Sequence, residues 1–268
     1  MTNSFSTFSY LMILSFKSNL VYSKKVILQL MQSVFAIYAF TFVWIAVKNA
    51  GGSATDISLE QLISYTVTSN IIVSLLPNGF ISKLYESDIN SGDISIKILR
   101  PVGIDIIYLS TTLGVICAKF ITNALPLIVL SIIFNMLSFP NSIFVWSMYL
   151  FSFIMGFIIA LLIDYIMGYL CFWVYKGNNI RHFIESVFSA FSGQIIPLNL
   201  LPSFFIVFSL LSPVRLIFYD PISILIGNMN ISDYSNYLLR LFIWLVLLVG
   251  STILLGKLSQ KKLFVQGG

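Results

Sequence analysis

The chain has 268 residues, of which 58% are hydrophobic and only 9% are charged, and its mean hydropathy is +0.95. Soluble domains carry roughly 25% charged residues, so this composition excludes a water-soluble domain and makes the lipid bilayer the solvent. The formal net charge of +5 does not indicate nucleic-acid binding, because the basic residues lie at the ends of apolar runs, where they signal orientation in a membrane.

A membrane permits only helices or closed barrels, because unpaired backbone groups are too costly in hydrocarbon. Barrel strands alternate apolar and polar residues, whereas runs such as Phe157–Ile163 and Leu241–Leu248 are continuously apolar. We therefore predict an all-α polytopic membrane protein that forms a single transmembrane domain over residues 1–268.

Residues 1–25 are predicted to form a cytoplasmic amphipathic helix. Between Ser4 and Tyr22, apolar side chains alternate with Ser, Thr and Asn. Such a helix lies in the interface plane with its apolar face in the lipid, so we expect it along the inner leaflet, ahead of the first span.

A spanning helix needs about 20 predominantly apolar residues, and six segments are predicted to be spans. In chain order they are Val26–Val47, Leu59–Ser82, Ile104–Leu137, Ile143–Trp173, a fifth from about Phe183, and Tyr237–Leu255. The third is long for one crossing, and Pro126 is expected to kink it or to divide it.

The distribution of Lys and Arg predicts that both termini are cytoplasmic, since basic residues concentrate in cytoplasmic connections. With six spans and the N-terminus inside, eleven basic residues lie inside and three outside. The inside set is Lys17, Lys24, Lys25, Lys83, Lys97, Arg100, Lys176, Arg181, Lys257, Lys261 and Lys262; the outside set is Lys48, Arg215 and Arg240.

The segment Ser192–Asn228, between the fifth and sixth spans, is apolar but is broken by several Pro and Gly residues. Straight helices do not carry prolines at that density, and a loop in water would not be so apolar. Short re-entrant helices that enter from the outer face satisfy both constraints. The alternative is two further full spans.

The connection between spans two and three, residues 83–101, contains the mixed run Glu86–Pro101, ESDINSGDISIKILRP. Asp93 is expected to cap a short amphipathic helix with its side chain, and Pro101 to mark the end of that helix. Two interpretations stay open from the residues alone. The helix is a docking site for a cytoplasmic protein, or it is an ordinary connector that lies on lipid headgroups.

Four segments resemble type-2 ABC transporter permeases, in the six-span branch described as ABC-2 family transporter proteins. They are SGDISIKILRPV (Ser91–Val102), SGQIIPLNLLP (Ser192–Pro202), FYDPISILIG (Phe218–Gly227) and KKLFVQGG (Lys261–Gly268). The four segments occur in the same order as in that branch.

The resemblance implies the permease half of an ATP-driven exporter in the cell membrane of a bacterium. Two permease chains, identical or paralogous, pair above two ABC ATPase subunits and move a hydrophobic or amphipathic substrate such as a drug, a peptide antibiotic or a lipid-like molecule. ATP and Mg²⁺ bind to the partner ATPase. This chain is expected to bind no cofactor and to be no enzyme, since it lacks the G-x-x-x-x-G-K-[ST] phosphate loop.

The resemblance also implies two groups of functional residues. The ATPase-coupling residues are Glu86, Ser91, Gly92, Asp93, Ile94, Ile96, Lys97, Leu99, Arg100 and Pro101. The residues of the re-entrant gate are Gly193, Gln194, Pro197, Pro202 and Pro221.

Two ionisable residues fall within predicted spans, where a charge costs a few kcal/mol. Their similar depths predict an intramembrane ion pair between Lys119 and Asp164; alternatively, Asp164 contacts a cationic substrate or a proton. The group Arg181, His182 and Glu185 is interpreted as the solvated start of the fifth span.

Two other functional classes compete with the exporter. In an ion-coupled secondary transporter, Lys119 and Asp164 would be the coupling residues, but inverted repeats are not visible. A membrane-embedded enzyme is disfavoured, because the sequence has one His and no His, Asp and Glu cluster with metal-ligand spacing.

Overall fold

A computed structural model describes residues 4–21, 23–49, 57–140, 142–174, 177–227, 229 and 231–266. These residues form α-helices joined by short connections, and no strand occurs among them. The helices are α1 (Ser4–Leu20), α2 (Ser23–Asn49), α3 (Leu59–Leu75), α4 (Phe80–Ser91), α5 (Ile94–Ile98), α6 (Ile104–Lys119), α7 (Leu125–Ile133), α8 (Ile143–Leu170), α9 (Gly177–Phe191), α10 (Ser203–Leu210), α11 (Tyr219–Leu225) and α12 (Ile231–Gln266). Residues 1–3, 228 and 267–268, at the ends of predicted segments, and Lys176 lie outside the described residues.

Among the described residues, four helical segments are long and apolar enough to cross a membrane: Val26–Asn49, Ile104–Ile133, Ile143–Leu170 and Asp233–Ser259. A fifth crossing is added if the bent pair Ser203–Leu210 and Pro213–Leu225 forms one span. The prediction of an all-helical, multi-span membrane protein is confirmed. The count of six spans stays a prediction, because α3 has 17 residues and α9 has 15.

The second predicted span, Leu59–Ser82, is interrupted before its end. Helix α3 begins at a capping box in which Ser58 and Gln61 exchange side-chain and backbone hydrogen bonds. It ends at Leu75, because Leu76 precedes Pro77 and takes an extended conformation. Gly79, with φ of 71°, then allows the chain to start α4 as a separate helix.

The third predicted span contains a wide turn where a kink was expected. Helices α6 and α7 are joined without a break by the π-helical turn Phe120–Ala124. Pro126, which has no N–H to donate, lies in the first turn of α7. The helical run is therefore widened rather than divided, and it ends at Ile133 instead of the predicted Leu137.

Helix α8 lies at the centre of the molecule, packed against α4, α11 and α12. Its fully buried Ile159 belongs to a core cluster with side chains of α3, α11 and α12. The Tyr237 hydroxyl of α12 donates a hydrogen bond of 2.7 Å to Ser152 Oγ of α8. Two parts of the predicted re-entrant segment, α11 and the 3₁₀ turn Pro213–Leu216, are packed on this long, apolar helix.

Helix α1 lies within the predicted amphipathic segment and packs lengthwise on α6. Ser15 Oγ donates a hydrogen bond of 2.8 Å to the carbonyl oxygen of Thr111. A Cβ atom at Gly114 would stand 2.3 Å from the carbonyl oxygen of Met12, so the two backbones touch where Gly114 has no side chain. The position of α1 along the inner leaflet stays a prediction.

Candidate functional site

The loop Glu86–Pro101, which we call the coupling loop, consists of the end of α4, the short helix α5 and the turns that follow. Gly92, with φ of 80°, ends α4 and allows α5 to begin at Ile94. Ile94 is buried, whereas Ile96 is 63% exposed and Leu99 is 85% exposed. Ile94 therefore anchors α5, while Ile96 and Leu99 project from it and Ile98 is partly exposed.

Asp88, a residue that the sequence analysis did not single out, holds the coupling loop in place. Its carboxylate is buried and accepts hydrogen bonds from the Lys97 ammonium and the Tyr108 hydroxyl. Lys97 therefore binds within the loop instead of facing a partner protein. Arg100 and Pro101 remain exposed at the end of the loop.

The predicted side-chain cap of α5 is wrong. Asp93 occupies the cap position, but its side chain makes no hydrogen bond to the helix backbone. The Ser91 hydroxyl instead donates a hydrogen bond of 2.9 Å to Asp93 Oδ2. The carboxylate therefore closes the Ser-Gly-Asp turn, and α5 is held by the burial of Ile94.

A group of tyrosines attaches α4 to α6 and α8 around Asp105. The hydroxyls of Tyr85 and Tyr169 donate to Asp105 Oδ1, and the Tyr165 hydroxyl donates a hydrogen bond of 2.7 Å to the Asp105 carbonyl oxygen. Burial, and secondly the Asp105 carboxylate, raise the pKa of Tyr85 far above its ordinary value. Tyr85 therefore stays protonated and remains a donor.

The interpretation of Arg181, His182 and Glu185 as a solvated helix start is wrong for Arg181, which is buried in an ion-pair site, whereas the side chains of His182 and Glu185 are 60% and 38% exposed. Arg181 is 3% exposed, and its Nη1 lies 3.2 Å from Glu86 Oε2. Glu185 lies 3.8 Å from the same guanidinium group. Glu86, predicted to couple to an ATPase, thus links α4 to α9.

The structure does not bring Lys119 and Asp164 together, which corrects the predicted ion pair. Asp164 Oδ2 accepts from the backbone N–H of Ile81 at 2.9 Å, and its Oδ1 accepts from that of Ser82 at 3.0 Å. A carboxylate at a helix N-terminus satisfies donors that have no intrahelical partner. Asp164 therefore fixes the start of α4 on α8, and Lys119 lines a different cavity.

A cavity of about 340 Å³ lies between α2, α3 and the junction of α6 with α7. Most of its lining side chains are amides and hydroxyls. They are Gln29, Gln32 and Ser33 of α2, Thr66, Ser69, Asn70 and Ser74 of α3, and Asn78, Asn123 and Gln194. Such a polar surface among apolar helices is exceptional and indicates a site where a polar molecule or water enters.

Lys119 and Asn123 enter this cavity from the π-helical junction. Lys119 is near the middle of the candidate span Ile104–Ile133, and Asn123 lies within the π turn. Single π turns inside α-helices are frequent at functional sites. Asn123 is 8% exposed, and its Oδ1 has no hydrogen-bond partner.

Four of the predicted gate residues lie in the segment from Gly193 to Pro202, of which Gln194 and Ile195 line the cavity. The Tyr65 hydroxyl donates to the Gly193 carbonyl oxygen, and Ser69 Oγ donates a hydrogen bond of 2.5 Å to that of Gln194. Pro197 and Pro202 flank the 3₁₀ turn Leu198–Leu200. Pro221 is buried in α11, away from this turn in sequence.

A second cavity, of about 430 Å³, adjoins the first through Asn78 and Gln194. Asp164, His182 and Glu185 contribute to its lining. No group of His, Cys, Asp and Glu side chains with the arrangement of a metal site occurs within the described part of the chain.

The long apolar helices of the described chain define a multi-pass membrane protein. The family model described as ABC-2 family transporter protein matches residues 20–261. The chain belongs to this family and is a type-2 ABC transporter permease. Permeases of this family are membrane transport components and are not themselves catalytic. No curated protein matches the sequence.

Proposed function

We propose that the chain is the membrane-spanning subunit of an ATP-driven exporter and that α5 is the contact through which a separate ATPase drives it. The observation that carries this proposal is the construction of α5. Ile96 and Leu99 project from a short helix that is anchored by buried Ile94 and by the Lys97–Asp88 ion pair. An exposed apolar pair on an anchored helix is suited to binding a protein and to transmitting its motion.

Helix α4 offers a mechanical connection from this contact to the polar cavity. Near its C-terminal end, Asp88 forms an ion pair with Lys97 of α5. Nearer its middle, Glu86 forms an ion pair with Arg181 of α9. The start of α4 is fixed to α8 by Asp164. Asn78, just before that start, lines the cavity, so a tilt of α4 would change the shape of the cavity.

The assembly that fits this mechanism has two permease chains, identical or paralogous, above two ATPase subunits that bind ATP and Mg²⁺. Each permease has six spans with both termini in the cytoplasm, as the basic residues indicate, in the cell membrane of a bacterium. The bend of 86° between the helices of Ser203–Leu225 supports a re-entrant segment between spans five and six. The substrate is hydrophobic or amphipathic.

The test is co-purification of the full-length chain with the ABC ATPase encoded nearest to it. Ile96→Asp combined with Leu99→Asp places charges on the exposed apolar pair, and we expect the complex and its ATP hydrolysis to be lost. Ser95→Asp adds a charge to an exposed position of the same helix and should leave most of the complex intact.

Two results would reject the proposal. If the wild-type chain retains no ATPase, an ion-coupled secondary transporter becomes the better account. If the double variant binds ATPase as well as the wild type does, α5 is not the docking surface. Both chains must run as single species on size exclusion for either result to count.

A further inference from the structure

The polar cavity between α2, α3 and the π turn has a one-sided electrostatic character. Lys119 is the one ionisable side chain among its described lining residues, and those residues include no carboxylate. A charge of one sign in a cleft between low-dielectric helices concentrates ions of the opposite sign. The cavity is therefore suited to an anionic group.

The hydroxyl groups of the cavity add a second constraint, because their hydrogens are already donated to the backbone. Ser33 donates to the Gln29 carbonyl oxygen at 3.1 Å, Thr66 to that of Leu62 at 3.0 Å, and Ser74 to that of Ile71 at 2.7 Å. The hydroxyl oxygens of Ser33 and Ser74 can therefore serve a ligand mainly as hydrogen-bond acceptors, whereas Thr66 Oγ1 already accepts a hydrogen bond of 2.9 Å from Trp44 Nε1.

Asn123 strengthens this acceptor character. Its Oδ1 is buried without a hydrogen-bond partner, and a buried polar atom in that state is costly unless something satisfies it. A ligand that donates hydrogen bonds through hydroxyl or N–H groups would satisfy Asn123 Oδ1.

From these features we infer that the cavity is the substrate site of the permease and that the substrate presents an anionic group next to hydroxyl or N–H donors. The anionic group lies toward Lys119, and the donors face Asn123 and the hydroxyl oxygens of α2 and α3. The inference rests on the proposed function and narrows its substrate class to molecules with an anionic, hydrogen-bond-donating headgroup. A volume of about 340 Å³ is within the range of small-ligand sites.

The test measures the charge preference of a thiol placed in the cavity. Asn123→Cys is introduced into the full-length chain after Cys117→Ser and Cys171→Ser have removed its two native cysteines. The purified chain in phosphatidylcholine vesicles is treated with methanethiosulfonates of equal length that carry a sulfonate or a trimethylammonium group. Each rate is divided by the rate of the same reagent with free cysteine.

We expect the sulfonate reagent to react faster than the cationic one by about tenfold, a ratio of the size expected from one nearby charge at an intermediate dielectric constant. Lys119→Gln should bring the ratio close to one, and Lys119→Arg should preserve it. Ile121→Cys is the matched control. It lies on the same π turn but is half exposed outside the cavity. Because it is within the candidate span Ile104–Ile133, a cysteine there would face lipid and should react slowly with both reagents.

The source of the anionic group is distinguished by protection of the introduced cysteine. Protection by glycerol 3-phosphate in solution indicates a soluble hydroxylated anion, and protection when phosphatidylglycerol replaces phosphatidylcholine indicates a lipid headgroup. A ratio near one with Lys119 intact, a ratio unaffected by Lys119→Gln, or protection by neither compound would overturn the inference. None of these measurements needs the ATPase, so failure of the proposed ATPase partnership would be detected separately.

Discussion

At the scale of single residues, position 79 requires glycine for two reasons. Its φ of 71° is in the left-handed region, and a Cβ atom there would stand 2.6 Å from Arg181 Cδ and 2.5 Å from Glu185 Oε1. Arg181 cannot move away without weakening its contact with Glu86. At Gly79, between α3 and α4, the Arg181 and Glu185 side chains of α9 therefore pack directly against the backbone.

Gly79→Ala is expected to lower the free energy of unfolding by roughly 2–4 kcal/mol. The left-handed conformation contributes about 1–2 kcal/mol, and the overlap with Arg181 and Glu185 contributes about 1–2 kcal/mol more. Gly92→Ala is the matched control, because Gly92 has φ of 80° with nothing within 4 Å of a Cβ atom. Thermal unfolding in detergent should show the larger decrease for Gly79→Ala; equal decreases would mean that the packing argument fails.

The sequence predicted the roles of some site residues and missed others, because local pattern does not reveal contacts between helices. A short amphipathic helix in the loop was predictable from the mixed run of apolar and charged residues, but that Ile94 is buried while Ile96 and Leu99 are exposed was not. The Lys119–Asp164 pair was inferred from depth along two helices, and depth does not specify the side of the helix on which a residue lies. The roles of Asp88 and Arg181 depend on partners far away in sequence or on another helix, which one chain's pattern does not reveal.

At the scale of elements, the contact between α1 and α6 depends on Gly114. Small residues allow helices in membranes to approach closely, and here the atoms nearest to a Cβ at Gly114 include the carbonyl oxygen of Met12 at 2.3 Å and the nitrogen of Phe16 at 3.0 Å. Both are backbone atoms, so they cannot rotate away as a side chain could.

Gly114→Ala is therefore expected to displace α1 from α6 and to lower the free energy of unfolding by about 1–3 kcal/mol. Hydrogen–deuterium exchange should become faster across residues 4–20 while α8 is unchanged. Gly250→Ala, in α12, provides the control, because nothing lies within 4 Å of a Cβ atom there. Unchanged exchange in α1 of the Gly114→Ala protein would contradict the packing described here.

The long helices were predictable from hydrophobic length alone, and the interruptions were predictable only in part. Pro77 follows a long apolar run, yet the predicted second span continued to Ser82, because hydropathy does not register the extended residue that precedes a proline. Pro126 was expected to kink the third span. The π turn that accommodates it depends on a choice among helical hydrogen-bond patterns that the amino-acid pattern does not specify.

The polar cavity was also predictable from the sequence only in part. Gln29, Gln32 and Ser33 lie on one side of α2, at the spacing of one helical turn, and α3 carries a similar polar stripe. The sequence alone could have identified these stripes as polar helix faces that do not face lipid. That they face one another, and that Lys119 joins them, depends on the packing of three helices.

At the scale of the whole molecule, helix α4 lies between the exposed helix α5, which is the proposed docking site, and the polar cavity. The family match over residues 20–261 gives the class of the protein, and the construction of α4 suggests how an ATPase could act on the cavity. The central claim is that the ATPase contacts the chain at α5.

The most direct measurement of that claim is photo-crosslinking with benzoylphenylalanine placed at Leu99 or at Ile143 in the full-length chain, co-expressed with the ABC ATPase encoded nearest to it. The two positions are equally exposed, each at 85%, but Ile143 begins α8 at the opposite side of the membrane in the proposed topology. We expect an ATPase crosslink from Leu99 and none from Ile143. A crosslink from Ile143, or none from Leu99 in a complex that holds the ATPase, would contradict that claim.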